Sequence, residues 1–256
     1  MRRVVLAGAL LITTVNTPAT ASELADVFRP SPNQQVQIGK HAAQYLRMHE
    51  QVLPASDARV KTLRRVARRI LATFDERDVP WEYSFDVIDS KDINAFALPG
   101  GATFFYTGLM DKLKTEDELA GVLGHELTHV RKQHWAIAYA DGEKRNLGLN
   151  ILLFAVRANS NLSNIAGLSD DLIFELPFSR SHETEADDGG FDAAVAAGYN
   201  PQGLADTFKM MREAIKDGDP PEFFSDHPDD KNRIKRIEDK IEKSGVIFPA
   251  QIPIDY

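Results

Sequence analysis

His125-Glu126-Leu127-Thr128-His129 is the part of this sequence with the clearest capacity for chemistry. On a helix, residues i and i+4 share a face, so the two imidazoles can converge on one ion. Glu126, next to His125, can reach a water held there. The pattern H-E-x-x-H predicts two zinc ligands and a general base for peptide-bond hydrolysis. Such a site needs a third protein ligand. His41 and His49 lie far upstream, and His134, five residues past His129, is expected to point off the metal face. The stronger candidate is Glu183 in Ser179-Arg180-Ser181-His182-Glu183-Thr184-Glu185-Ala186-Asp187. Glu183 and Asp187 stand i, i+4, so Glu183 can ligate while Asp187 accepts the other N–H of a zinc-bound histidine.

The elements that position these residues are legible nearby. Thr115 and Glu118 form a capping box, and Leu119, Val122, Leu123, Leu127 and Val130 continue at helical spacing, so the motif sits on a helix. A second helix is expected from about 178 to 197, ending at Gly198. A third follows Asn200-Pro201 to about Ile215, and a last one opens at His227-Pro228 and runs through Lys243 to Gly245. Trp81, Tyr83, Phe85 and Val87 alternate as a strand with one buried face. Residues 93–98 and 102–106 read as a hairpin turned at Pro99-Gly100-Gly101. The proline-bearing segment 22–40 reads as an extended lead-in, and residues 141–170 as a helix with long loops. The expected class is α+β and mostly helical, a zincin-like metallopeptidase domain with a small mixed β-sheet.

Composition narrows the setting. Arg2-Arg3, an apolar run from Val4 to Ile12 and Ala19-Thr20-Ala21 read as a cleavable signal peptide over residues 1–21, leaving 22–256 as one domain. The apolar run is shorter than the about 20 residues a spanning helix needs. There is no cysteine, hence no disulfide and no lipid-bearing N-terminal Cys. The net charge of −8 argues against nucleic-acid binding. A soluble periplasmic protein is expected. A basic face on a helix near 59–69 (Arg59, Lys61, Arg64, Arg65, Arg68, Arg69) reads as solvated, with peripheral contact to an anionic membrane or an acidic partner as the alternative.

Four ordered motifs then carry a resemblance: H-E-L-T-H; the S-R-x-x-E-x-E-A-D stretch from Ser179; Asn94-Ala95-Phe96-Ala97-Leu98-Pro99-Gly100-Gly101; and His227-Pro228 with Arg233. Together, over roughly residues 40–243, the chain resembles the HtpX and CAAX prenyl endopeptidase family of zinc metallopeptidases, in its soluble exported BepA/LoiP-like branch without TPR repeats. The resemblance implies one zinc ion on His125, His129 and Glu183, with Glu126 as base and Asp187 behind a zinc-bound histidine. Asn94, Ala95 and Phe96 would form an edge on which an extended, unfolded polypeptide lies. It also brings His227 near the metal, either as a donor to the oxyanion or as a fourth zinc ligand that closes the site, although His227 can equally be only a helix N-cap. Arg180 is a weaker candidate. The expected function is an exported zinc endopeptidase acting on unfolded or misfolded envelope proteins. The alternatives are a zinc-stabilised chaperone or assembly factor with latent peptidase activity, and a hydrolase of cell-wall peptides.

Overall fold

A computed structural model describes residues 29–75, 79–145, 178–218, 220–228 and 232–256. The expected leader lies outside them, as does most of segment 141–170. Seven longer helices are present among the described residues: α1 (Pro32–His49), α2 (Ala58–Leu71), α3 (Glu116–Arg131), α4 (His134–Arg145), α5 (Arg180–Ala196), α6 (Gln202–Lys216) and α7 (Arg233–Ser244). Strands β1 (Ser84–Ile88), β2 (Ala95–Ala97) and β3 (Ala102–Tyr106) form one mixed sheet in the order β1-β3-β2. β1 runs parallel to β3, and β2 pairs antiparallel with it, Phe96 opposite Phe104. The α+β class, its helical majority and the hairpin are as expected.

Three expectations give way. From Pro32 onward the expected extended lead-in is helix α1, its residues 22–28 lying outside the described ones. Its Ser31 and Gln34 make a reciprocal capping box, and Pro32 occupies the first turn, where a missing N–H costs nothing. Pro32 is therefore part of a helix start signal. The first strand begins only at Ser84, and both its faces are covered. Phe85 and Val87 join the main core with Val60, Leu63 and Leu123, while Ile88 packs with Ala42, Leu46 and Phe104 beneath α1. A sheet with helices on both faces loses the one-sided alternation that sequence patterning assumes. The last helix starts at Arg233, and His227 ends a short helical turn, Phe223–Asp226, donating its own N–H to Phe223 O. It is not an N-cap.

Helix α3 runs through the middle of the molecule. Its Thr115–Glu118 capping box is present, and the other two carboxylates of the first turn have tertiary partners. Glu116 pairs with Arg65 at 2.5 Å. Asp117 accepts from the backbone N–H groups of Asn200 and Ile252, each at 2.6 Å. Anionic groups here also complement the positive end of the helix. Helix α5 crosses α3 at glycines: a Cβ on Gly190 would lie 2.9 Å from His125 N, and one on Gly124 would lie 3.0 Å from Gly190 Cα. Side chains at this crossing would push apart the two helices that carry the site.

The basic face of α2 is largely committed within the molecule. Arg59 pairs with Asp57 and Asp111, Arg64 with Asp86 and Arg65 with Glu116. Arg69 donates to Ala197 O and lies over the Tyr199 ring. Lys61 and Arg68 stay exposed. Among the described residues no helix is long and apolar enough to cross a membrane.

Candidate active site

Helices α3 and α5 and the turn before Pro228 bring His125, His129, Glu183 and His227 together, all buried. Their potential ligand atoms lie within 4.8 Å of one another. His125 Nε2 is 3.1 Å from His129 Nε2 and 3.2 Å from His227 Nδ1. Glu183 Oε1 is 3.1 Å from His227 Nδ1 and 3.5 Å from His129 Nε2. The edge of a tetrahedron with metal–ligand bonds near 2.0–2.1 Å is about 3.3 Å. The spacing fits a single ion. The donor chemistry fits too, because several ring nitrogens facing one another cannot all share protons, whereas all can offer lone pairs to a cation. Such a cluster can hold a divalent metal.

Behind the donors, Asp187 Oδ1 accepts from His125 Nδ1 at 3.1 Å, as the i, i+4 spacing from Glu183 predicts. Arg233 is fully buried and grips Asp187 through two nitrogens, at 3.1 and 2.6 Å. Its Nη1 lies 3.2 Å from Glu183 Oε2, and its guanidinium lies over the Phe208 ring. Burial pushes the Asp187 carboxyl up, but the His125 hydrogen bond and the Arg233 charge outweigh it and hold the group down at about 2. For Glu183 too, burial raises the pKa, and His227, His125 and Arg233 together bring it below the ordinary range. Both groups stay ionised. Sequence reasoning quoted Arg233 only as part of a motif. Its role comes from α7 packing against α5 and α6. Arg180, the weaker candidate, is exposed at the first position of α5 and does not reach the site.

Glu126 is buried, and its Oε2 accepts the backbone N–H of Ala97 at 3.0 Å. Its Oε1 lies 3.4 Å from His227 Nε2. β2 is the edge strand of the sheet. Asn94 and Leu98 bond to β3 through Asn94 O and Leu98 N–H, so by the alternation of an antiparallel ladder Ala95 and Ala97 direct their backbone groups to the open side. Phe96 packs on Phe104 and Tyr106. Asn94 Oδ1 is buried with no hydrogen-bond partner among the described residues.

His134 lies outside the donor cluster, off the metal face as expected, but it stands directly behind His129. Gln133 adopts φ 57, which ends α3 and starts α4 on a new axis, and His134 returns so that its Nδ1 is 3.0 Å from His129 Nδ1. A non-glycine residue in that region is uncommon, and no pattern in the sequence announces it. Burial, partly offset by Glu185, lowers the His134 pKa to about 4, and burial with neighbouring cationic groups lowers His129 well below its usual value. Both therefore stay neutral in the fold while unfolded histidines titrate near 6.5. Between pH 6.5 and 4 the unfolded chain binds protons that the folded one refuses, so stability falls on acidification, by roughly 3 kcal/mol from His134 alone. Urea unfolding in EDTA at pH 7 and pH 4.5 should show this drop, and His134→Asn should show a smaller one. Equal drops in the two proteins would contradict the assignment.

Helix α3 with its motif under the edge of a small mixed sheet, and α5 crossing behind it, is the zincin-like arrangement, and the protein is of the metallopeptidase class. The chain belongs to Peptidase family M48, whose profile matches residues 57–241. It is 27% identical over 234 residues to the metalloprotease LoiP of Escherichia coli (strain K12), covering 89% of this chain and 88% of that one. It is 34% identical over 203 residues to the mitochondrial metalloendopeptidase OMA1 of Schizosaccharomyces pombe, covering 77% of this chain and 57% of the yeast protein. The beta-barrel assembly-enhancing protease of Escherichia coli O157:H7 is 29% identical over 183 residues, 65% of this chain and 37% of that one.

Proposed function

We propose that this metalloendopeptidase binds one zinc ion per chain and hydrolyses peptide bonds in unfolded or misfolded envelope proteins after export to the periplasm. The observation that carries the reading is the Ala97 N–H bond to Glu126 Oε2. It sets the base at the open side of an edge strand, where an extended peptide can add as a further strand. That mode engages backbone, so extended or unfolded chains suit it and compact ones do not. The sequence start supports export, and a relative named for β-barrel assembly is in keeping with the envelope.

His125, His129 and Glu183 would hold the metal, which when bound polarises a carbonyl and lowers the pKa of a water. Glu126 takes the proton of the attacking water and passes it to the leaving amine. Ala95 and Ala97 align the peptide, and Ala97 N–H keeps the Glu126 carboxylate aimed. Asp187 holds His125 in the tautomer that leaves Nε2 unprotonated.

His227 Nδ1 stands among the donor atoms, and a catalytic site needs one position left open. The geometry therefore supports His227 as the fourth ligand of a resting state over a donor to the oxyanion. His227→Ala should keep its metal and cleave unfolded casein faster; an open state populated at about 10% in the wild type would give about a tenfold gain. A fall of about 10²-fold, the cost of losing an oxyanion donor, would reverse the assignment. The closed donor set also supports a second reading, a zinc-stabilised chaperone or assembly factor with latent peptidase activity. Casein assays with and without chelator, on protein of measured zinc content, separate the two. A zinc-loaded His227→Ala protein that cleaves no unfolded substrate would leave only the second.

A further inference from the structure

The two histidines of the motif are held from behind by different groups. His125 has a carboxylate, Asp187. His129 has a second imidazole: its Nδ1 lies 3.0 Å from His134 Nδ1, and His134 Nε2 lies 3.2 Å from Glu185 Oε2. The other oxygen of Glu185 pairs with Lys132 Nζ at 2.6 Å. Two ring nitrogens can bond only when one brings a proton and the other a lone pair. His129 Nε2 faces the other donor atoms of the cluster, so its lone pair belongs there and its proton on Nδ1. His134 must then accept at Nδ1 and carry its own proton on Nε2, which is the tautomer that Glu185 can accept from.

We propose that His134 is a positioning residue of the metal site: its Nδ1 lone pair fixes the tautomer and ring orientation of His129, and Glu185 in turn fixes the tautomer of His134. The assignment rests on reading His129 as a metal ligand. Orientation of a ligating histidine by a hydrogen bond to its other nitrogen is the general requirement of such sites. An imidazole suits this one. The site already buries Glu126, Glu183 and Asp187. A further carboxylate at position 134 would add negative charge where Arg233 is the buried cation that answers two of them. A neutral acceptor orients the ring without that cost, and the charge is moved outward to Glu185, which is half exposed and has Lys132 beside it. The packing holds the ring in place: His134 is fully buried and stacks on His182 with centroids 4.4 Å apart and planes 11° from parallel.

The test is metal affinity of the full chain, by competition with a chromophoric zinc chelator, with the visible spectrum of the cobalt(II)-substituted protein as a second readout. His134→Leu should bind zinc about 10–100-fold more weakly and shift the cobalt bands. His134→Asn, whose amide oxygen can take the place of Nδ1, should stay within about threefold of wild type. A folded His134→Leu protein with wild-type affinity and an unchanged cobalt spectrum would overturn the proposal. So would a His134→Asn protein as weak as His134→Leu, because packing would then be the whole role. If His134→Leu does not fold, as judged by circular dichroism, Glu185→Ala at the half-exposed end decides. A loss of about threefold or more supports the relay, and unchanged affinity overturns it. A wild type that takes up no metal would instead defeat the reading of the cluster itself.

Discussion

Glu126→Gln should retain its metal and lose peptide hydrolysis by about 10²–10⁴-fold. The substitution keeps shape and hydrogen bonding. A glutamine carbonyl oxygen can accept the Ala97 N–H that Glu126 Oε2 accepts now at 3.0 Å. Glu126 is not among the four clustered donor residues, so metal content should stay at the wild-type level. What disappears is the capacity to take a proton from water and return it to the amine. A thousandfold loss corresponds to about 4 kcal/mol of transition-state stabilisation. The measurement is cleavage of unfolded casein by wild type and variant with zinc determined in both. A variant retaining more than about a tenth of wild-type activity would remove Glu126 from the role of base.

Arg233→Ala should be the most damaging single change to stability, at about 3–5 kcal/mol. Arg233 has no exposed surface, and its guanidinium answers the charge of Asp187 in a forked contact and that of Glu183. Removing it leaves two buried carboxylates without their buried counter-charge and frees Asp187 from the geometry that orients His125. Arg236 cannot replace it, because it reaches only one Asp187 oxygen, at 3.4 Å, from a half-buried position. Arg233→Lys should rescue little, since a point charge does not reproduce the fork. Urea unfolding midpoints with and without zinc read the effect. A loss under about 1 kcal/mol would show that the Arg233–carboxylate network contributes little.

Both expectations join residues that lie far apart along the chain, Ala97 with Glu126 and Arg233 with Asp187 and Glu183, which bears on how much the sequence could disclose. The motif helix was legible because its signals are local: two histidines at i, i+4, a capping box ten residues earlier and an apolar stripe between. Glu183 and Asp187 were legible for the same reason. Their spacing places them on one face of a helix, and few other residues could complete the set. The hairpin announced itself through Pro99-Gly100-Gly101. Where reasoning from local pattern failed, the cause was contact with a distant element. β1 lost its alternation because α1 covers the face that an isolated strand would expose. The cap reading of His227 rested on its proline neighbour alone, whereas the Phe223–Asp226 turn, tied to Ile93 O through Phe223 N–H, carries it to the donors.

His134 shows the boundary most sharply. Counted along an unbroken helix, position 134 leaves the metal face. One residue in a left-handed conformation, Gln133, with its side-chain oxygen accepting from Gln35 Nε2 of α1 at 3.0 Å, redirects the chain and returns the ring to His129. The sequence by itself determined the chemistry available: which helix bears two imidazoles and a base, and which second helix bears carboxylates at matching spacing. Helical periodicity and capping act over a few residues and can be counted. The tertiary structure alone decided which charges are answered, which ring holds which, and whether the donor set is open or closed. Those depend on how separate helices cross, and close packing at Gly124 and Gly190 sets that crossing through contacts no local pattern encodes.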